Sequence, residues 1–199
     1  MAGADAAARV VRGGGVIAYP TDTVWGLGGD ARRPDVVARV RALKGRDGRP
    51  MLVLARDLAQ VDAWAAGVPD ALRRAAEVAG VTVLLPASEA APPALVGPEG
   101  LVGARVATGW TAELLARLDG PLLSTSANRS GEPTPSRRTD LAPAITRGVD
   151  LVADGPEPPG GAASTLVRAD GRALVVVRAG AVTAEALAQR TRVEVREAG

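Results

Sequence analysis

Short apolar runs alternate with stretches of helical spacing along nearly all of this 199-residue sequence. That alternation restricts the chain to an α/β fold. Val16–Pro20, Met51–Ala55, Val81–Leu85, Leu101–Val106, Pro121–Ser126, Leu151–Ala153, Thr165–Val167 and Leu174–Val177 each read as a strand. Between them, Pro34–Leu43 carries Val36, Val37, Val40 and Leu43 at helical spacing. Met1–Arg12 reads as a short amphipathic helix, Leu58–Val78 as two short helices, and Thr111–Leu118, Asp140–Arg147 and Thr183–Gln189 as one helix each. Strands follow both helices and short turns, so the sheet is expected to be mixed, with flanking helices. The length fits a single domain over residues 1–199. With 24 Gly and 15 Pro, connections should be tight and loops numerous, and loops are where binding groups sit.

The sequence contains neither His nor Cys. A Ser-His-Asp triad, a Cys nucleophile, an imidazole base and a conventional zinc site are therefore excluded, as are disulfides. Catalysis must use carboxylates, hydroxyls, amides, Lys and Arg, with a hard metal or the substrate's own groups. No stretch approaches 18 consecutive apolar residues, so no membrane span is expected, and the expected compartment is the cytoplasm. The net charge is only +2, which does not describe a strongly basic nucleic-acid binder.

One residue stands out from the cations. Lys44 is the only Lys among 24 Lys and Arg. Abundant Arg, Ala, Gly and Pro looks like mutational bias, and a Lys surviving it reads either as chance or as a site that needs a compact, deprotonable ammonium rather than a planar guanidinium.

Three stretches carry chemistry. Tyr19–Gly28 places two hydroxyls and a carboxylate between a strand-ending Pro and a Gly-rich turn. It reads either as a ligand-binding loop at a strand's carboxyl end or as a capped turn. Leu43–Pro50 sets Lys44, Arg46 and Arg49 among glycines after a helix, which suits either the helix dipole or a polyphosphate. Leu122–Gly131 opens an apolar strand into Ser124, Thr125, Ser126, Asn128 and Arg129, groups able to hold phosphate or carboxylate oxygens. A Walker-type or dinucleotide glycine loop is missing.

Together and in order these stretches resemble the YrdC-like family of threonylcarbamoyl-adenylate synthases. The strand-end motif P-T-[DE]-T-x-[YW]-G-L-G matches Pro20–Gly28, K-x-R matches Lys44-Gly45-Arg46, and S-x-N matches Ser126-Ala127-Asn128. Further matches are Gly103-Ala104-Arg105-Val106, Gly161–Leu166 and Arg178-Ala179-Gly180, so the resemblance runs from about Arg12 to Leu187.

The resemblance implies an open, twisted sheet with a concave, cation-lined cleft. It implies a nucleotidyltransferase that makes L-threonylcarbamoyl-AMP and pyrophosphate from L-threonine, bicarbonate or CO2, and ATP, with Mg²⁺ reaching the site on ATP rather than on protein ligands. The product would serve N6-threonylcarbamoylation of adenosine 37 in tRNA, through a downstream threonylcarbamoyl-transferase complex. Carried over residue by residue, Lys44 and Arg46 would be catalytic and contact ATP phosphates. Ser126, Asn128, Thr134 and Arg178 would also bind ATP, and Thr21, Arg105, Ser124 and Ser164 would hold L-threonine. Two other readings stay open: a double-stranded RNA or tRNA-binding module, and a paralogue handling carbamoyl or acyl phosphates.

The sequence departs from the family pattern in three places. Leu54 stands where many relatives have His, Ala79-Gly80-Val81-Thr82 shortens a Pro-rich segment, and Ala107-Thr108-Gly109-Trp110 replaces a Pro-containing one. These changes leave amino-acid specificity open. Trp25 and Trp110 are expected near the cleft and Trp64 in the core.

Overall fold

The computed structural model describes residues 2–45 and 51–198, so Arg46 and Arg49 lie outside the described residues. The chain begins with α1 (Ala2–Arg12), then the hairpin β1 (Ile17–Pro20) and β2 (Trp25–Gly28), and α2 (Pro34–Lys44). β3 (Leu52–Ala55) is followed by a 3-10 turn (Leu58–Trp64), α3 (Asp70–Ala76), β4 (Val81–Pro86) and β5 (Leu101–Val106). Next come α4 (Gly109–Leu115), β6 (Leu122–Ser126), α5 (Pro143–Gly148) and β7 (Leu151–Val152). β8 (Thr165–Asp170), β9 (Ala173–Arg178), α6 (Ala184–Thr191) and β10 (Val195–Glu197) complete it.

The strands form one mixed sheet in the order β10-β9-β8-β4-β5-β3-β6-β2-β1-β7. Register assigns its two faces. Val53, Ala55, Val81, Val83, Ala104, Leu123, Val167 and Val176 alternate onto one face and are buried beneath α2, α3, α5 and α6. Each Val or Leu side chain among them contributes about 1.5–3 kcal/mol on burial. Leu52, Leu84, Gly103, Arg105, Ser124 and Ser126 share the opposite face. Towards the β1 end, α1 and α4 cover that face through a second apolar cluster of Ala7, Val11, Tyr19, Leu54, Leu114 and Leu122. The rest of the face, over β4, β5 and β8, remains open and holds the cavity described below.

The sheet curls strongly. Asp22, in the β1–β2 turn, accepts a hydrogen bond from the Gly80 N–H at the start of β4 (3.2 Å), although β5, β3, β6 and β2 lie between β1 and β4. The open face is therefore concave.

Two elements escape the sequence pattern. β2 falls in what reads as a Gly-rich turn, because two of its four residues are Gly. The structure gives the reason: a Cβ on Gly28 would sit 1.6 Å from the Leu123 carbonyl oxygen, so only Gly lets β2 lie this close to β6. Gly28→Ala is expected to destabilise the protein by about 3 kcal/mol or more, as overpacking against backbone. A denaturant titration measures this, and an unchanged midpoint would contradict the packing. β10 was not foreseen either; it is short and mostly exposed. The helix expected over Asp140–Arg147 is instead a 3-10 turn (Arg138–Asp140) followed by α5, because Pro143 lacks the N–H that a continuous helix would need and fits only at the first turn.

Candidate functional site

Residues from seven strands and their ends line a cavity of about 430 Å³ on the open face. Thr21, Thr23 and Gly26 come from the β1–β2 hairpin, and Arg105 and Gly103 from β5. Ser124, Thr125 and Ser126 come from β6, while Thr82, Ser164 and Arg178 come from β4, the start of β8 and the end of β9. Leu52, Leu84, Leu101, Leu166 and Val177 supply an apolar wall. The guanidiniums of the lining are Arg105 and Arg178, and Glu99 stands at the same cavity.

Arg105 is 4% exposed. Its Nη1 donates to Thr23 Oγ1 (3.1 Å), and Nη2 lies 3.2 Å from Asp22 Oδ1 as an ion pair. Among the described residues its Nε has no hydrogen-bond acceptor and Asp22 Oδ1 has no hydrogen-bond donor. Arg178 Nη2 donates to the Ser164 carbonyl (2.6 Å), and Ser164 Oγ is 2.8 Å from Thr82 Oγ1. Partial desolvation and the nearby Arg105 charge lower the Arg178 guanidinium pKa.

Tyr19 sets the polarity of one hydroxyl. Its phenol is fully buried, and burial pushes its pKa well above the ordinary value, so it stays protonated. It donates to Ser124 Oγ (2.8 Å), which leaves the Ser124 proton for an acceptor in the cavity.

Lys44 ends α2, and Gly45 caps that helix in the left-handed region (φ 62°). The Lys44 ammonium, 2% exposed, donates to Ser126 O (2.6 Å), Ser126 Oγ (3.3 Å) and Asn128 Oδ1 (3.0 Å). The Lys44 carbonyl in turn accepts from Ser130 N–H (2.9 Å), and Asn128 Nδ2 donates to Glu132 O (2.6 Å). Lys44 and Asn128 thus reach the cavity through Ser126, which lines it.

Of the residues singled out in the sequence, Thr21, Arg105, Ser124, Ser126, Ser164 and Arg178 meet at one cavity. Thr21 also caps its turn, accepting from the Thr23 and Val24 N–H groups and donating to the Val24 carbonyl, so both readings of that stretch hold at once. Thr134 is exposed and does not line the cavity. Trp25 does not line the cleft either: it is buried in the main core, its indole N–H bonded to Glu157 (2.8 Å). Trp110 stacks on Tyr19 (centroids 6.5 Å apart), outside the cavity lining, and Trp64 is half-buried against the main core. Leu54, aligned with Arg105 across β3 and β5, is wholly buried in the second cluster. Asp22 and Thr23 were not picked out as site residues; a carboxylate between two Thr at a strand end was the signal available.

Hydroxyls, backbone and guanidiniums gather on an open sheet face with an apolar wall beside them, a lining whose chemistry suits an oxygen-rich small molecule. The Sua5/YciO/YrdC family, described as "Telomere recombination", matches residues 9–180. The chain belongs to that family. It is 42% identical over 158 residues to a protein of Stenotrophomonas maltophilia named Threonylcarbamoyl-AMP synthase, covering 76% of this chain and 85% of that one. The crystal structure of P. abyssi Sua5 complexed with L-threonine superposes with a TM-score of 0.87 at 26% identity, over 96% of this chain. The chain spans only 58% of that Sua5 chain. E. coli YciO superposes with a TM-score of 0.80 at 26% identity, covering 92% of both chains. Among the described residues no helix is long and apolar enough to cross a membrane.

Proposed function

We propose that this protein is an L-threonylcarbamoyladenylate synthase, a nucleotidyltransferase that converts L-threonine, bicarbonate or CO2, and ATP into threonylcarbamoyl-AMP and pyrophosphate. The observation that carries the reading is the meeting of Thr21, Arg105, Ser124, Ser126, Ser164 and Arg178 on one concave face of a chain so similar to a Threonylcarbamoyl-AMP synthase. The reading also draws on the L-threonine held by P. abyssi Sua5.

The chemistry suits these side chains. The neutral amine of threonine adds to CO2, loses a proton and becomes a carbamate. A carbamate oxygen then attacks the α-phosphorus of ATP, the bond to the β-phosphate bridging oxygen breaks, and pyrophosphate leaves. Such a step asks for alignment and charge neutralisation more than for a strong base. Arg105 would fork the threonine carboxylate, with Thr21, Ser124 and Ser164 around it. Ser126, Asn128 and Arg178 would hold the nucleotide, and Lys44 would orient the Ser126–Asn128 loop towards it. Arg46 and Thr134 are retained as nucleotide contacts from the family pattern. Mg²⁺ would arrive on the ATP phosphates and offset part of their charge. The mixed anhydride product would pass to a transferase complex acting on adenosine 37 of tRNA.

Pyrophosphate release from ATP, measured with and without L-threonine and bicarbonate, tests the reading. Release is expected to require both. Release without threonine, or none at all, would overturn the synthase, and a preference for another amino acid would reassign the substrate.

A further inference from the structure

The β1–β2 turn touches two distant parts of the cavity at once. Asp22 Oδ2 accepts from Gly80 N–H at the start of β4, and Asp22 Oδ1 faces Arg105 Nη2 on β5. The adjacent Thr23 takes the remaining end of the same guanidinium, accepting from Nη1. Asp22 is itself largely buried, with its side chain 13% exposed.

Two neighbouring residues pin the guanidinium. Nε and Nη2 form the planar fork that matches a carboxylate. Here Nη2 faces Asp22 at ion-pairing distance, and Nε is buried with no hydrogen-bond acceptor among the described residues. A carboxylate so placed could compete with a ligand for Arg105. Its Oδ1, however, accepts no hydrogen bond among the described residues, so it offsets charge as an ion pair. It also lies beside a site with a second cation, Arg178, whose guanidinium senses Arg105. Without a fixed anion, two guanidiniums lining one cavity would repel and splay.

We propose that Asp22 is a positioning residue: by bridging Gly80 and Arg105 it fixes the rotation of the guanidinium at the cavity wall, where Arg105 meets the substrate carboxylate. Asp22 touches no reacting atom; it acts through Arg105. The inference rests on the synthase reading, because the carboxylate it presents Arg105 to is that of the amino-acid substrate.

Asp22→Asn keeps an acceptor for Gly80 and removes the charge. It is expected to raise the KM for L-threonine, and its Kd by calorimetry, about tenfold or more, the scale of a lost charge-assisted hydrogen bond. The KM for ATP should change less than about threefold, a split that a merely structural defect would not produce. Asp22→Glu should recover most of the threonine affinity. If Asp22→Asn fails to fold, Thr23→Val, which removes only the Nη1 acceptor, should show the same split at smaller size. Unchanged threonine affinity in the folded variants, or an equal rise in both KM values, would overturn the role of Asp22. Absence of threonine binding by the unaltered protein would instead overturn the synthase reading, so the two failures are separable.

Discussion

Lys44→Arg is expected to lower threonine-dependent pyrophosphate release by about a hundredfold or more while the protein stays folded. The charge is unchanged, so electrostatics alone predicts almost nothing. Geometry decides it. The ammonium is a compact point charge donating to three oxygens of Ser126 and Asn128, with almost no exposed surface. A guanidinium is planar and larger, and it must displace the loop that carries Ser126 into the cavity. Overpacking of this kind costs about 1–3 kcal/mol, which at this chain length lowers the thermal midpoint by several degrees without unfolding the protein at 25 °C. Circular dichroism melts beside the pyrophosphate assay separate the two effects. Activity at the unaltered level would show that the lone Lys is an accident of codon usage.

The second large effect falls on Arg105. Arg105→Ala should destabilise the protein by about 3–5 kcal/mol, because it strands the Asp22 carboxylate in a buried site without its cation. The double variant Arg105→Ala with Asp22→Ala should recover part of that loss, since the uncompensated charge is gone. Neither should respond to L-threonine. A double variant no more stable than the single one, in matched denaturant titrations, would show that the ion pair is not what Arg105 contributes to stability.

These two residues mark how far the sequence could be read. Lys44 was visible as the single Lys of an Arg-rich chain, and its neighbours spelled a recognisable motif. Its partners were not, because the Lys44–Asn128 contact spans 84 positions. The Thr21–Thr23 stretch was legible as a polar turn at a strand end. That Asp22 would reach Gly80 and Arg105 was not, since apolar periodicity reports which face a strand buries, not how far a sheet curls. Most strands were legible for the same reason, each a run of Val and Leu with its own register. β2 was hidden because its glycines satisfy a close backbone approach rather than a burial pattern. The Trp25 indole was misplaced because aromatic character shows size and one donor, but not the partner that takes it, here Glu157.

The strand order has a consequence for the newborn chain. β8, β9 and β10 add to the sheet's edge beside β4, after every other strand has been made. Ser164 and Arg178 travel with that last segment, several strands away from Ser124 on β6. During synthesis the earlier strands can pair as they emerge, yet the cavity lacks one side until residue 178 has left the ribosome and docked. A nascent chain that ends before β8 therefore carries the hairpin, β5 and β6 parts of the lining without Ser164 and Arg178.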